Sequence, residues 1–241
     1  MAGISAERQE NAVINAINAH AKIDSPITIL TGTTKISNII KAEKYTGRQV
    51  GGSEPYTDVQ LFLKNKTTLN ISLKGESAPS LAGGGLSGLE QIVPGIAKMF
   101  MKAAFNYLIK IKLKAGDKVP DIYGKINEFH KLKIIKGNVA IGGPIDYMYI
   151  GSMDPTFRYD PKSKILTFTN GKFIPVDVYS KTHELYFRLR ARREDQRFDP
   201  TAKDGSGTPK IYGKSPSKGD SAGRIVVTDK VPSAAKIIDV K

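Results

Sequence analysis

The chain has no cysteine, no tryptophan and only three histidines, His20, His130 and His183. Without cysteine there are no disulfides and no thiolate metal sites. Three histidines scattered along 241 residues do not have the spacing of a zinc site. No run approaches the roughly 18 apolar residues of a membrane span, and the polar start MAGISAERQEN has no apolar signal core. The expectation is a soluble protein of the cytoplasm. Acidic residues are scarce too: 23 Asp and Glu stand against 37 Lys and Arg, a formal net charge of +14. A surplus of that size points to a polyanionic partner, nucleic acid first and an anionic membrane second. A merely basic soluble protein is the plainer alternative. With 40% hydrophobic residues the chain is globular and long enough to bury a core.

What is present centres on residues 54–90. Val59, Leu61 and Leu63 alternate with polar residues or Phe62, and Leu69, Ile71 and Leu73 do the same after a turn over residues 64–67. Period-two alternation predicts two half-buried strands of a hairpin. Facing the apolar residues predicts the pairs Leu63–Leu69, Leu61–Ile71 and Val59–Leu73. Gln60 then lies opposite Ser72, and Asp58 opposite Lys74, about 5 Å apart at Cβ. A carboxylate, a hydroxyl and an ammonium on one face make a metal-and-water site.

Residues 5–22 read as a helix with Ser5 as N-cap and Val13, Ile14, Ile17 and Ala21 as its apolar stripe. Glu10 is either a first-turn dipole partner or a support for the site. Residues 27–30 form a short apolar piece. Ile36, Ile39 and Ile40 then have helical spacing across 35–44, and a basic glycine-containing loop runs to Ser53. Gly51 and Gly52 there would let backbone approach a phosphate, although no P-loop pattern is present. Beyond the hairpin, Leu89, Ile92, Val93, Ile96, Phe100 and Ala104 predict one helix reaching about Lys112, with Pro94 tolerated in its first turns. Its lysines, Lys98 and Lys102 among them, suit either a solvated face or DNA contact.

Residues 121–136 read as helical, burying Ile122, Ile126, Phe129 and Leu132, and 145–151 as a buried strand. Asn170-Gly171 predicts a hairpin within 164–179. In the stretch 184–195, Tyr186, Arg188, Arg190 and Arg192 share one strand face, with Arg193 following. Arginines two apart on a strand are separated by roughly 6.6 Å, and each forms forked bonds to phosphate oxygens. A charged solvent face or a protected edge strand is the alternative. Residues 197–223 read as a long loop or arm, and 225–227 as a closing strand.

Pro55-Tyr56-Thr57-Asp58 and Ser72-Leu73-Lys74 together resemble the PD-(D/E)XK nuclease superfamily, in which an Asp opens one hairpin strand and a (D/E)-x-K triplet lies on the next. Ser72 stands where that pattern has an acid. A subset of type II restriction enzymes has a similar S-x-K triplet and supplies the glutamate from the following helix. Glu90 is the matching residue here, with Glu76 and Glu54 as fallbacks.

The resemblance covers residues 5–150. It implies an α+β fold with a restriction-endonuclease-like mixed central sheet flanked by helices and additional C-terminal strands. The domains expected are a nuclease-like core (1–150), a β-rich extension with the arginine strand (151–196) and a C-terminal arm with a closing strand (197–241). The implied activity is hydrolysis of DNA phosphodiesters with Mg²⁺ or Mn²⁺. Asp58 and Glu90 would bind metal and Lys74 would activate water. Ser72, Glu10 and Gln60 would support them, and Arg188, Arg190, Arg192, Arg193, Lys98 and Lys102 would hold duplex DNA. No membrane is involved, a homodimer is left open, and a phage origin is compatible. The competing expectation is a non-catalytic DNA-binding or virion-assembly protein.

Overall fold

Both hairpin segments form strands, within a chain that is α+β throughout. The structure is a computed structural model and describes residues 2–47, 55–76, 85–191, 195–201, 210–213 and 221–240. In chain order the elements are α1 (Ala2–Asn18), β1 (Ile27–Thr31), β2 (Thr34–Lys44), β3 (Val59–Leu63), β4 (Thr68–Gly75), α2 (Gly85–Ile92), α3 (Ile96–Lys110), β5 (Ile122–Lys125) and α4 (Glu128–Lys136). A 3-10 turn (Val139–Ile141) leads to β6 (Tyr147–Gly151), β7 (Phe157–Asp160), β8 (Ile165–Phe168), β9 (Gly171–Pro175) and α5 (Val176–Thr182). Then follow β10 (Tyr186–Ala191), β11 (Gln196–Asp199), β12 (Lys210–Gly213), β13 (Ser221–Thr228) and β14 (Lys236–Ile238). Among the described residues no helix is long and apolar enough to cross a membrane.

The chain divides into two units, Met1–Pro79 with Ile135–Thr182 and Ser80–Ile134 with His183–Lys241. The first holds an eight-stranded mixed sheet in the order β7-β8-β1-β2-β3-β4-β6-β9. The β1–β8 and β4–β6 pairs are parallel and the others antiparallel. Helix α1 lays Val13, Ala16 and Ile17 into the same core as Ile29, Ile39, Val59, Leu61 and Ile71. Each fully buried Val or Ile side chain contributes about 1.5–3 kcal/mol in transfer free energy. Asn18 closes α1 by pairing with both backbone groups of Ala42, its Nδ2 donating to the carbonyl and its Oδ1 accepting the amide, each at 2.8 Å. That clamp sets the helix against β2 and fixes where its earlier turns lie.

The second unit holds a six-stranded sheet, β11-β12-β13-β10-β5-β14, antiparallel except for β5–β14. Phe187 and Leu189 of β10 are buried, and Phe187 stacks on Phe100 of α3 at 5.3 Å. Tyr186, Arg188 and Arg190 point to the opposite face, as strand alternation requires. Arg192 and Arg193 lie outside the described residues.

Several expectations give way. Residues 34–44 are a strand, although their isoleucines have helical spacing. Register shifts between Ile27 and Ile29 and between Ile39 and Lys41, with Asn38 at φ 63°, add residues to the ladder. The buried positions become Ile36, Ile39 and Ala42, a period of three that mimics a helix. The 85–110 helix breaks at Pro94, which lacks an amide proton, and Gly95 takes φ 85°.

Residues 121–136 are strand then helix. Asn127 accepts the Phe129 amide at 2.9 Å and starts α4, which leaves Phe129 70% and Leu132 38% exposed. Asn170-Gly171 joins no hairpin: β8 pairs with β7 and β1, and β9 with β6. Asn170 instead ties down residues 154–156, accepting the Thr156 amide and donating to the Asp154 carbonyl. Residues 176–179, read as strand, begin α5, and the stretch read as a loop over 197–223 contains β12 and the start of β13. The closing strand is present as part of β13.

Candidate active site

Hairpin register decides which side chains meet. The turn is shorter than expected: the Leu63 amide donates to the Thr67 carbonyl, and Lys66 takes φ 67° in a three-residue loop with a left-handed last position. The ladder therefore pairs Val59 with Ile71, Gln60 with Asn70 and Leu61 with Leu69, shifted by two residues from the expected register. A shift of two keeps every side chain on its predicted face. Gln60 donates to the Asn70 side chain at 2.9 Å instead of facing Ser72. Asp58, not Gln60, meets Ser72.

Asp58 stands just before β3, on a segment held by the 3-10 turn. The Tyr56 amide donates to the Ile141 carbonyl, and Thr57 donates to the Gly142 carbonyl from both its amide and its hydroxyl, the latter at 2.6 Å. Gly142 has φ 72°, and a Cβ there would lie 2.7 Å from Pro55, so glycine is required. Held this way, the Asp58 Oδ2 accepts the Leu73 amide at 2.6 Å and the Ser72 hydroxyl at 3.1 Å. Lys74 Nζ is 3.8 Å from the same oxygen. The three bonding groups all approach Oδ2, leaving Oδ1 outside these contacts. Lys74 is 18% exposed and Asp58 23%, so their charges interact through little solvent.

Asp58, Leu73 and Lys74 border a pocket of about 480 Å³ inside the first unit, which Glu7, Glu10, Lys44, Tyr45 and Thr57 also line. Glu10, 15% exposed, accepts an ion pair from Lys44 at 2.8 Å. That hydrogen bond, and next the Glu10 charge, push the Lys44 ammonium pKa above its usual value. Two rows of the fold thus converge: the Asn18 clamp sets α1, which carries Glu10, and the hairpin carries Asp58 and Lys74. Among the described residues, no three His, Asp or Glu side chains gather as a metal cluster.

The remaining described sequence candidates are not among the residues that line this pocket. Glu90 belongs to the second unit, where its Oε2 accepts the Gly95 amide at 2.7 Å and its Oε1 the Lys98 amide at 3.0 Å. It caps α3, whose own N-cap residue, Gly95, has no side chain to offer. Glu76 is exposed just beyond β4, and Glu54 lies outside the described residues. Lys98 and Lys102 are exposed on α3. Arg188 pairs with Asp121 at 3.1 Å and its guanidinium lies over the Tyr123 ring at 5.6 Å. Reading the sequence missed Lys44 as a pocket residue. The only signal was its place at the head of the basic loop, whose glycines 51 and 52 lie outside the described residues.

No family model matches the chain, and no curated protein matches it. Among solved structures it is similar to the restriction endonuclease MspI in complex with its cognate DNA, at 12% identity and a TM-score of 0.32, over 79% of this chain and 71% of that one.

Proposed function

We propose that the chain is a metal-dependent nuclease that hydrolyses DNA phosphodiesters at the Asp58–Lys74 pocket. The observation that carries this reading is the convergence of Asp58, Lys74 and Glu10 on one partly buried pocket of a strongly basic chain, with Ser72 donating to Asp58 from behind it. A magnesium or manganese ion fits the donor set: Asp58 keeps one oxygen outside its hydrogen bonds, and Glu10 lines the same pocket. Magnesium takes one or two carboxylates and retains several waters, so few protein ligands suffice. When bound, the ion would polarise the scissile phosphate and acidify a water.

The chain's own groups do the rest. The Leu73 amide and Ser72 hydroxyl hold the Asp58 carboxylate in one orientation. Lys74 donates to the phosphate oxygens as negative charge builds on them, or orients the attacking water. Water adds to phosphorus, the bond from phosphorus to one sugar oxygen breaks, and that oxygen takes up a proton. Lys44 holds the Glu10 side chain in the pocket through their ion pair. Glu10 is the acid we assign beside Asp58, with Glu90 as the competing one. Arg188, Arg190, Lys98 and Lys102 belong to the duplex-binding surface in this reading, and DNA inside the cell is its substrate.

The experiment is cleavage of supercoiled plasmid in Mg²⁺ and in Mn²⁺ by wild type, Asp58→Ala and Lys74→Ala. The reading expects a loss of about 100-fold or more in both variants. Undiminished cutting by both would sink the site assignment. A second reading, a non-catalytic DNA-binding protein, draws on the hydrogen bonds that already occupy Asp58 Oδ2. It expects salt-sensitive binding and no cutting with either metal.

A further inference from the structure

The pocket of the first unit holds a lysine that the β3–β4 hairpin does not supply. Lys44 ends β2 and pairs with Glu10 of α1 at 2.8 Å. It is 50% exposed, against 15% for Glu10, so it meets solvent while its partner is largely enclosed. Beyond the bond to Glu10 and the charge of Glu10, the carboxylates of Glu7 and Asp58 also favour the charged ammonium. Glu10 and Asp58 are thus each answered by a lysine, but the two pairs cover different things. Lys74 approaches the Asp58 Oδ2 that Ser72 and Leu73 also hold, and Oδ1 stays outside these contacts. Lys44 is the cation that covers Glu10 itself. With Glu7 the five charged side chains lining the pocket sum to a formal charge of −1.

We propose that Lys44 is an exchangeable counterion, which neutralises Glu10 without metal and passes to a phosphodiester oxygen when a divalent cation takes Glu10. A largely enclosed carboxylate left alone carries an uncompensated desolvation cost, and the ammonium offsets it until another cation arrives. Lysine suits an exchange because its ammonium is a compact charge on a flexible stem, whereas arginine's fork grips a carboxylate at two points. Ion pairs with one partner in solvent are weak, so a divalent ion seeking oxygen ligands can displace this one. Its entry takes the formal charge of the pocket from −1 to +1, and the released ammonium then faces the substrate's negative charge. Lys44 in this way links metal binding to phosphate binding. The inference rests on the metal-dependent reading of the pocket and adds the residue that sets how much metal the pocket needs.

The test is binding of Mn²⁺ to the full chain, read from the paramagnetic resonance of the free ion, with plasmid cutting as a second readout. Lys44→Met is expected to bind Mn²⁺ about 5-fold more tightly than wild type and to reach half-maximal cutting at correspondingly less metal. Its top rate is expected to fall roughly 10-fold, because the phosphate loses a cation. Lys44→Arg is expected to bind Mn²⁺ less tightly than wild type. Lys74→Met removes a more enclosed charge, 18% exposed, without uncovering Glu10, and is expected to tighten Mn²⁺ less than Lys44→Met does. Unchanged or weaker Mn²⁺ binding in Lys44→Met would mean a lysine that only braces Glu10, and it overturns the exchange. An equal or larger gain in Lys74→Met, as a plain change of field would give, overturns it too, as does an undiminished top rate in Lys44→Met. Mn²⁺ binding that Asp58→Ala abolishes and Lys44→Met ignores refutes the exchange and leaves the metal site standing. No Mn²⁺ bound by wild type or by Lys44→Met refutes the metal reading itself, and the exchange with it.

Discussion

The head of the β3–β4 hairpin and the outer face of β10 both carry charge, but they handle it differently. At the hairpin, Asp58, Lys74 and Glu10 are each less than a quarter exposed and border one pocket with opposite charges in contact. On β10 the charges are of one sign along the strand, and Arg188 is matched by a local carboxylate. Low solvent access strengthens each charge and fixes its orientation, which suits chemistry at one atom. Repeated like charge on an open sheet face suits a long polyanion and gives affinity that salt erodes.

The largest effect expected is at the hairpin. Lys74→Ala should lower plasmid cleavage by about 100-fold or more while leaving duplex binding in EDTA nearly intact. Equal losses in cleavage and binding would erase the contrast. The next effect sets Glu10 against Glu90. Glu10→Gln should cost cleavage without lowering the melting temperature much. Glu90→Gln should instead destabilise by about 1 kcal/mol, because it weakens the cap on the Gly95 and Lys98 amides. Cleavage lost in Glu90→Gln at an unchanged melting temperature would move the catalytic acid there. On β10, Arg190→Ala should weaken duplex binding and keep the rate of cutting at saturating DNA.

A last effect is alkaline. Burial, and next the charge of Glu76, push the Tyr149 phenol up to about 12. The folded state keeps that proton where the unfolded state, with a pKa near 10, releases it. Stability from this group is complete below pH 10 and falls as pH rises toward 12, and the raised Lys44 acts in the same direction. Tyr149→Phe should therefore flatten the fall in unfolding free energy between pH 10 and 12 by about 2 kcal/mol, read from denaturant titrations at each pH. An identical pH profile for wild type and variant would contradict it.

The sequence carried the faces of the site better than its partners. Asp58, Ser72 and Lys74 are together because a two-residue slip preserves strand parity, and parity is written in Val59, Leu61, Ile71 and Leu73. The slip itself came from a left-handed Lys66, which no glycine or asparagine at that position announced. Strand β2 was hidden by its bulges, and Asn170-Gly171 was outcompeted by pairings distant in sequence. Glu90 was the hardest residue to read. An acid at the start of a helical run looks the same whether it holds a metal or caps the next helix. Only the Pro94-Gly95 break, with two free amides beyond it, gives Glu90 its second task.

The most direct measurement is plasmid cleavage by Asp58→Asn beside wild type in Mg²⁺, with melting curves on both. Asparagine still offers an oxygen to the Leu73 amide but removes the charge. The account predicts nicked and linear DNA from wild type and intact supercoils from Asp58→Asn at a similar melting temperature. Equal cutting by both proteins, or none by wild type with Mg²⁺ or Mn²⁺, would contradict it.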